Sequence, residues 1–160
     1  MSRNKQRWLK LATGAGVRYT NKVDKGGVMK GYYANIETET VENTNFRKVL
    51  YTGQHMQLVA MSLPPNGEIG QEIHAKNDQF FRFEAGEGLV TIDGNDYQVG
   101  ADDVIIVPAG AEHNVVNASG ETDLKLYTIY SPPHHQDGVV RATREEAEES
   151  EPPFDGVTTE

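Results

Sequence analysis

The 160-residue chain contains no cysteine. Disulfides, thiolate zinc sites, iron–sulfur clusters and cysteine nucleophiles are therefore excluded. Basic side chains are also in short supply: 15 Lys and Arg face 24 Asp and Glu, a formal net charge of −9. A nucleic-acid ligand needs a basic face to neutralise phosphate, so this balance argues against one. No run approaches the ~20 apolar residues of a membrane helix. The apolar part of the N-terminal stretch is broken by Lys10 and Thr13, and a secretory signal needs a continuous run of ~7–15 residues. The expectation is a soluble, cytoplasmic protein whose partners include neither membrane nor nucleic acid. There is no Gly-x-Ser-x-Gly elbow for a serine nucleophile. The Gly-rich turns at 14–16 and 86–88 lack a following Lys-Ser/Thr, so a phosphate loop is unsupported.

Charge is unevenly placed in what remains. Residues 1–30 hold eight basic side chains and one acid, whereas residues 134–160 hold eight acids and two arginines. Both ends read as solvated and mobile, a basic extension over 1–30 and an acidic, mostly flexible tail over 136–160. Within the tail only a short helix around Thr143–Glu149 is expected, capped by Thr143 with Glu145 and Glu146 in its first turn. The length suits one domain, here 31–135. Short runs rich in β-branched and aromatic residues fill it: Phe46–Tyr51, Met56–Leu63, Phe80–Phe83, Leu89–Ile92, Asp96–Val99, Val104–Val107, Asn114–Asn117 and Leu124–Tyr130. Gly, Pro and Asp turns separate them, and Asp93-Gly94 is a tight-hairpin signal. Such a pattern predicts an all-β sandwich or barrel, with little room for helix before residue 140.

Metal chemistry without cysteine must come from His, carboxylates and amides, and the chain has five histidines. Their contexts differ. Pro65–Gly88 reads PNGEIGQEIHAKNDQFFRFEAGEG and Asp102–Asn117 reads DDVIIVPAGAEHNVVN. These segments resemble the two motifs of the cupin superfamily, G-x5-H-x-H-x(3,4)-E-x6-G and G-x5-P-x-G-x2-H-x3-N. In the second, Pro108, Gly110, His113 and Asn117 fall at the family spacing, with Asp102 where the first Gly stands. In the first, either His74 and Lys76 take the His-x-His positions, or Glu72 and His74 do, with Gln79 in place of the Glu and Asn66 in place of the first Gly. The second alignment keeps the motif's spacing to Gly86. It also avoids presenting a protonated Lys76 to a cation. On a strand, Glu72 and His74 then share one face with Ile73 on the other, and Gln79, Phe81 and Phe83 point inward while Arg82 points out.

The resemblance spans about Met56 to Tyr130 and implies a double-stranded β-helix, the jelly-roll barrel. A further resemblance, to short bacterial cupins described as phosphomannose-isomerase-like, rests on GEIGQEIH, DQFF, VPAGAEHNVVN and LYTIYSPPHH. Phosphomannose isomerases use a Gln-x-His pair, a Glu and a His; this chain has the same four types with Gln and Glu exchanged. The implied metal ligands are Glu72, His74, Gln79 and His113. Two imidazoles, a carboxylate and an amide oxygen suit one divalent transition ion, Mn, Fe, Co, Ni or Zn. The implied function is a metal-dependent enzyme acting on a small sugar-like or hydroxy-carbonyl compound, isomerase-like. An Fe(II) dioxygenase and a non-enzymatic binding or sensing module compete with it. Asn117 is expected as a turn-forming or supporting amide, His55 as an ordinary strand or edge residue, and His134-His135 as a loop beyond the last strand. Tyr127, Tyr130 and Trp8 are expected to pack. Gly31–Tyr51 is expected to add strands to the barrel or to a neighbouring subunit in a homodimer.

Overall fold

The computed structural model describes Leu9–Ala12, Val17–Thr20 and residues 30–160. Trp8, and most of the basic extension expected over 1–30, lie outside the described residues. The chain divides into two units, Met1–Gly31 with Glu160, and Tyr32–Thr159. In the first, β1 (Leu9–Ala12) and β2 (Val17–Thr20) form an antiparallel ribbon with Leu9 opposite Thr20.

The second unit begins with α1 (Ile36–Val41) and continues through β3 (Arg47–Thr52), β4 (Gln57–Leu63), β5 (Glu72–Ile73), β6 (Asp78–Ala85), β7 (Gly88–Ile92), β8 (Asn95–Val99), β9 (Val104–Val107), β10 (Glu112–Asn117) and β11 (Leu124–Ser131). It ends with β12 (Val140–Arg141) and α2 (Arg144–Glu149). Two antiparallel sheets result, ordered β12-β3-β4-β11-β6-β9 and β5-β10-β7-β8. Alternation decides what lies between them. On β6, Gln79, Phe81 and Phe83 are buried while Phe80 and Arg82 are partly exposed; on β11, Leu124, Leu126, Thr128 and Tyr130 are buried. Val59, Met61, Leu63, Val90 and Val115 complete the centre of the core. Each such side chain contributes about 1.5–3 kcal/mol on removal from water. This is an all-β architecture, as the strand pattern predicts, in the jelly-roll form that the resemblance implies.

Two turns show why particular residues sit where they do. Asp93 (φ 45°) and Gly94 (φ 77°) are both left-handed and join β7 to β8 in a two-residue hairpin. Asn66 (φ 58°) and Asp102 (φ 72°), the residues standing where the motifs place their first glycines, are also left-handed. Asn and Asp tolerate that conformation better than other non-glycine side chains, so each can stand where a glycine would also be at ease.

The structure differs from the sequence expectations at three places. The segment Gly31–Tyr51 was expected to add strands; it does so in β3, but residues 36–41 form helix α1. The Asn35 side chain accepts a hydrogen bond from the Thr38 N–H (3.1 Å), and Glu37 and Glu39 occupy the first turn, a favourable place for acids. His55 lies exposed in the turn between β3 and β4 and not in a strand. The acidic segment expected as a mostly flexible tail is laid back on the barrel. There β12 pairs with β3, Ala147 is buried in the core, and Pro153 bridges His135, while the helix capped by Thr143 forms as expected.

Candidate metal centre

Glu72 and His113 are direct partners where β5 meets β10, so both project from one face of the smaller sheet. His74 follows Glu72 by two residues and returns to that side, whereas Ile73 between them is 59% exposed. Gln79 reaches the same place from β6 in the larger sheet, beside Val107 and Tyr130. His74 Nε2 lies 3.1 Å from Glu72 Oε2, and His113 Nε2 lies 3.1 Å from Gln79 Oε1. One ligand atom each from Glu72, His74 and His113 falls within 4.8 Å of the others. The Gln79 amide is fixed from behind, its Nε2 donating to Thr128 Oγ1 at 3.1 Å. Lys76 is exposed, so the alignment that uses Glu72 and His74 is the one whose side chains converge.

The family profile described as "Cupin domain" matches residues 59–130. The chain belongs to the cupin superfamily. An uncharacterized Bacillus subtilis protein, YrkC, is 45% identical over 124 residues, 74% of this chain and 66% of that protein, so the cupin spans slightly less than two thirds of this relative. The solved structure of Bacillus halodurans BH2720 is 42% identical with a TM-score of 0.74, covering 76% of this chain and 96% of that one. An oxalate-binding protein of Thermotoga maritima is 30% identical over 69 residues, 43% of this cupin and 56% of that protein.

The electrostatics of the cupin's cluster favour a cation. Burial opposes ionisation of Glu72, but its hydrogen bond with His74 and the nearby His74, Arg47 and His113 charges outweigh this and hold the carboxyl below its ordinary range. Burial pushes His113 down, toward the neutral imidazole a metal requires. The Nδ1 of His113 lies 3.3 Å from the Ala111 carbonyl. With the proton assigned there, Nε2 and Gln79 Oε1 bring two lone pairs face to face, an arrangement that a cation between them relieves. The donor set therefore fits a divalent transition ion on Glu72, His74 and His113. His74 and His113 are buried, while the Glu72 side chain is 26% exposed, so the cluster opens on the Glu72 side.

Sequence reasoning missed the surroundings. The loop after β11 folds back over the cluster: the His134 ring packs on His74 with centroids 4.4 Å apart and stacks on Tyr130 at 5.3 Å. Buried Gln57 clamps this loop, its Oε1 accepting from the His134 and His135 N–H groups and its Nε2 donating to the His135 carbonyl. Burial, then the neighbouring His135 and His74, push His134 down to about 4. Tyr130 is pushed up by complete burial and by the Glu72 charge, so its hydroxyl stays protonated. Its place was readable from the period-2 pattern Leu124, Leu126, Thr128, Tyr130. Arg47 was equally readable, being in phase with inward Val49 on β3. Asn117 stands apart from the cluster and organises a loop, donating to the Leu63, Pro64 and Thr122 carbonyls.

Proposed function

We propose that this cupin binds one divalent transition metal through Glu72, His74 and His113, with Gln79 as a fourth, neutral oxygen ligand, and acts on a small hydroxy-carbonyl or sugar-like compound as a phosphomannose-isomerase-like enzyme. The observation that carries the reading is the convergence of Glu72, His74 and His113, with Gln79 beside His113, in a cluster open on the Glu72 side. When bound, the ion supplies Lewis acidity, polarising a carbonyl or stabilising an enediolate. The chain supplies the rest. Glu72 leaves a formal +1 on the centre and the Gln79 amide adds no charge. His134 lines the cavity beside Glu72 and stacks on the buried Tyr130, and Phe81 packs against His113, keeping water from the buried side.

A second reading, a binding or sensing module without turnover, is favoured by the resemblance to the oxalate-binding protein. Proton NMR in D2O with the Mn2+-loaded protein and glyceraldehyde or dihydroxyacetone separates the two. Loss of the C–H signal next to the carbonyl supports the isomerase. Saturable binding without exchange supports the module, and oxygen uptake with Fe2+ in place of exchange supports a dioxygenase.

A further inference from the structure

Arg47 is a guanidinium only 4% exposed, on the inner face of β3. A buried charge survives only when paired. Its partner is Glu151, from the acidic segment beyond α2, through Nη1 and Oε2. The other oxygen of Glu151 lies 2.6 Å from His135 Nδ1. The pairing is incomplete, because Arg47 Nε is buried with no hydrogen-bond partner among the described residues. Arg47, Glu151, His134 and Glu72 together line one cavity of about 230 Å3. That is below the ~300–1,000 Å3 of pockets for drug-sized ligands and suits a smaller molecule. The cavity is thus lined by Glu72, one member of the candidate metal cluster, and by the buried Arg47 guanidinium, on which the Glu151 carboxylate rests.

We propose that Arg47 is the recognition group for a carboxylate on the ligand, and that Glu151 holds this place as an internal stand-in until the ligand displaces it. The ligand is then a small acid with an oxygen donor at one end and a carboxylate at the other. For the site of the oxygen donor the inference rests on the metal reading above. The planar guanidinium fork matches a carboxylate bidentately, which Lys would not do, and the exchange leaves no buried charge unpaired, since one carboxylate replaces another. The segment carrying Glu151 has Ala147 as its buried apolar anchor. Around the exchange point its other ties are polar: the Phe154 N–H to the His134 carbonyl (2.9 Å) and Arg141 to the Ser150 carbonyl, so it can yield without disturbing the core.

Calorimetric titration of the Mn2+-loaded full chain with malonate tests this, with acetate, glycerol and inorganic phosphate as comparison probes. Malonate binds and glycerol does not. Glu151→Gln removes the competing charge and tightens malonate by about tenfold. The double variant Arg47→Gln/Glu151→Gln leaves no buried charge unpaired, stays folded by circular dichroism, keeps its Mn2+ affinity and loses malonate by tenfold or more relative to Glu151→Gln. Equal malonate affinity in Glu151→Gln and the double variant overturns the proposal, as does no malonate binding in either wild type or Glu151→Gln. Phosphate binding in malonate's place with the same variant dependence overturns the carboxylate assignment. Failure of the metal reading registers separately, as wild-type protein that takes up no Mn2+. In that case the difference between the two variants, measured on metal-free protein, still decides the role of Arg47.

Discussion

At the residue scale, loss of a donor at Glu72, His74, Gln79 or His113 should weaken metal binding, but unequally. His74→Ala and His113→Ala delete imidazole donors and cost the most, at least a hundredfold in affinity by calorimetric titration of the apo protein with Mn2+ or Zn2+. Glu72→Gln keeps shape but removes charge, so affinity falls by a smaller factor. Gln79→Glu preserves or strengthens binding by adding a second anionic oxygen, and Lys76→Ala changes nothing, because Lys76 is exposed. If Glu72→Gln binds like wild type while Lys76→His gains affinity, the ligand assignment is wrong. Backbone positions permit a second test. A Cβ at Gly86 (φ 91°) would meet the Asp123 carbonyl oxygen at 2.6 Å and Leu124 Cα at 2.9 Å, whereas one at Gly110 (φ 87°) would meet nothing within 4 Å. Both substitutions carry left-handed strain of about 1–2 kcal/mol, but only Gly86→Ala adds a backbone clash. Thermal denaturation should therefore show a clearly larger loss for Gly86→Ala than for Gly110→Ala. The ligand candidates were readable because motif spacing fixes them locally. Arg47 and Glu151 were not paired in advance, since 104 residues separate them and nothing in the spacing links the two.

Elements divide in the same way. Strands with alternating burial, such as β6 and β11, follow from period-2 patterning, and β9 spans the run of residues it was expected to span. The helix α1 escaped notice because its sequence IETETV alternates like a strand; its capping Asn35 was the signal. The acidic segment looked mobile because composition reports only that it buries little apolar surface. Its order comes from fixed partners instead: Arg47 and His135 for Glu151, Glu68 for Arg144, and the Thr52 carbonyl for the Thr159 N–H. Truncation after Arg141 should therefore lower stability by about 1–3 kcal/mol, since it removes the buried Ala147 and strips the partner of a buried arginine. A melting curve identical to that of the full chain would show that the segment is not docked. Acid should loosen the same segment. Burial opposes ionisation of Glu151, but its hydrogen bond with His135 and the Arg47 charge outweigh this and hold its pKa below the ordinary value. The stabilisation is thus present above the ordinary carboxylate value of about 4.3 and is lost as pH falls through the lowered one. Limited proteolysis within 144–153 should accelerate as pH drops below about 4, and a rate flat from pH 7 to pH 3 would contradict this.

At the scale of the molecule, the two antiparallel sheets of the jelly-roll unit bring donors from both layers together, three from around β5 and β10 and one from β6. No helix among the described residues is long and apolar enough to cross a membrane. We propose a homodimer seated on the Gly31–Tyr51 segment, where Tyr32 and Val41 are each about two-fifths exposed. Light scattering should give twice 17.7 kDa, and a monomer at micromolar concentration would contradict it. The candidate metal centre is where fold, motif spacing and electrostatics converge, and metal analysis of the freshly purified protein, followed by titration of the stripped chain, tests it most directly. The expected result is one tightly held divalent transition ion per chain, absent from His74→Ala and His113→Ala. A wild-type chain that carries no such ion, and takes up Mn2+, Fe2+, Ni2+ and Zn2+ no better than His113→Ala does, would contradict it.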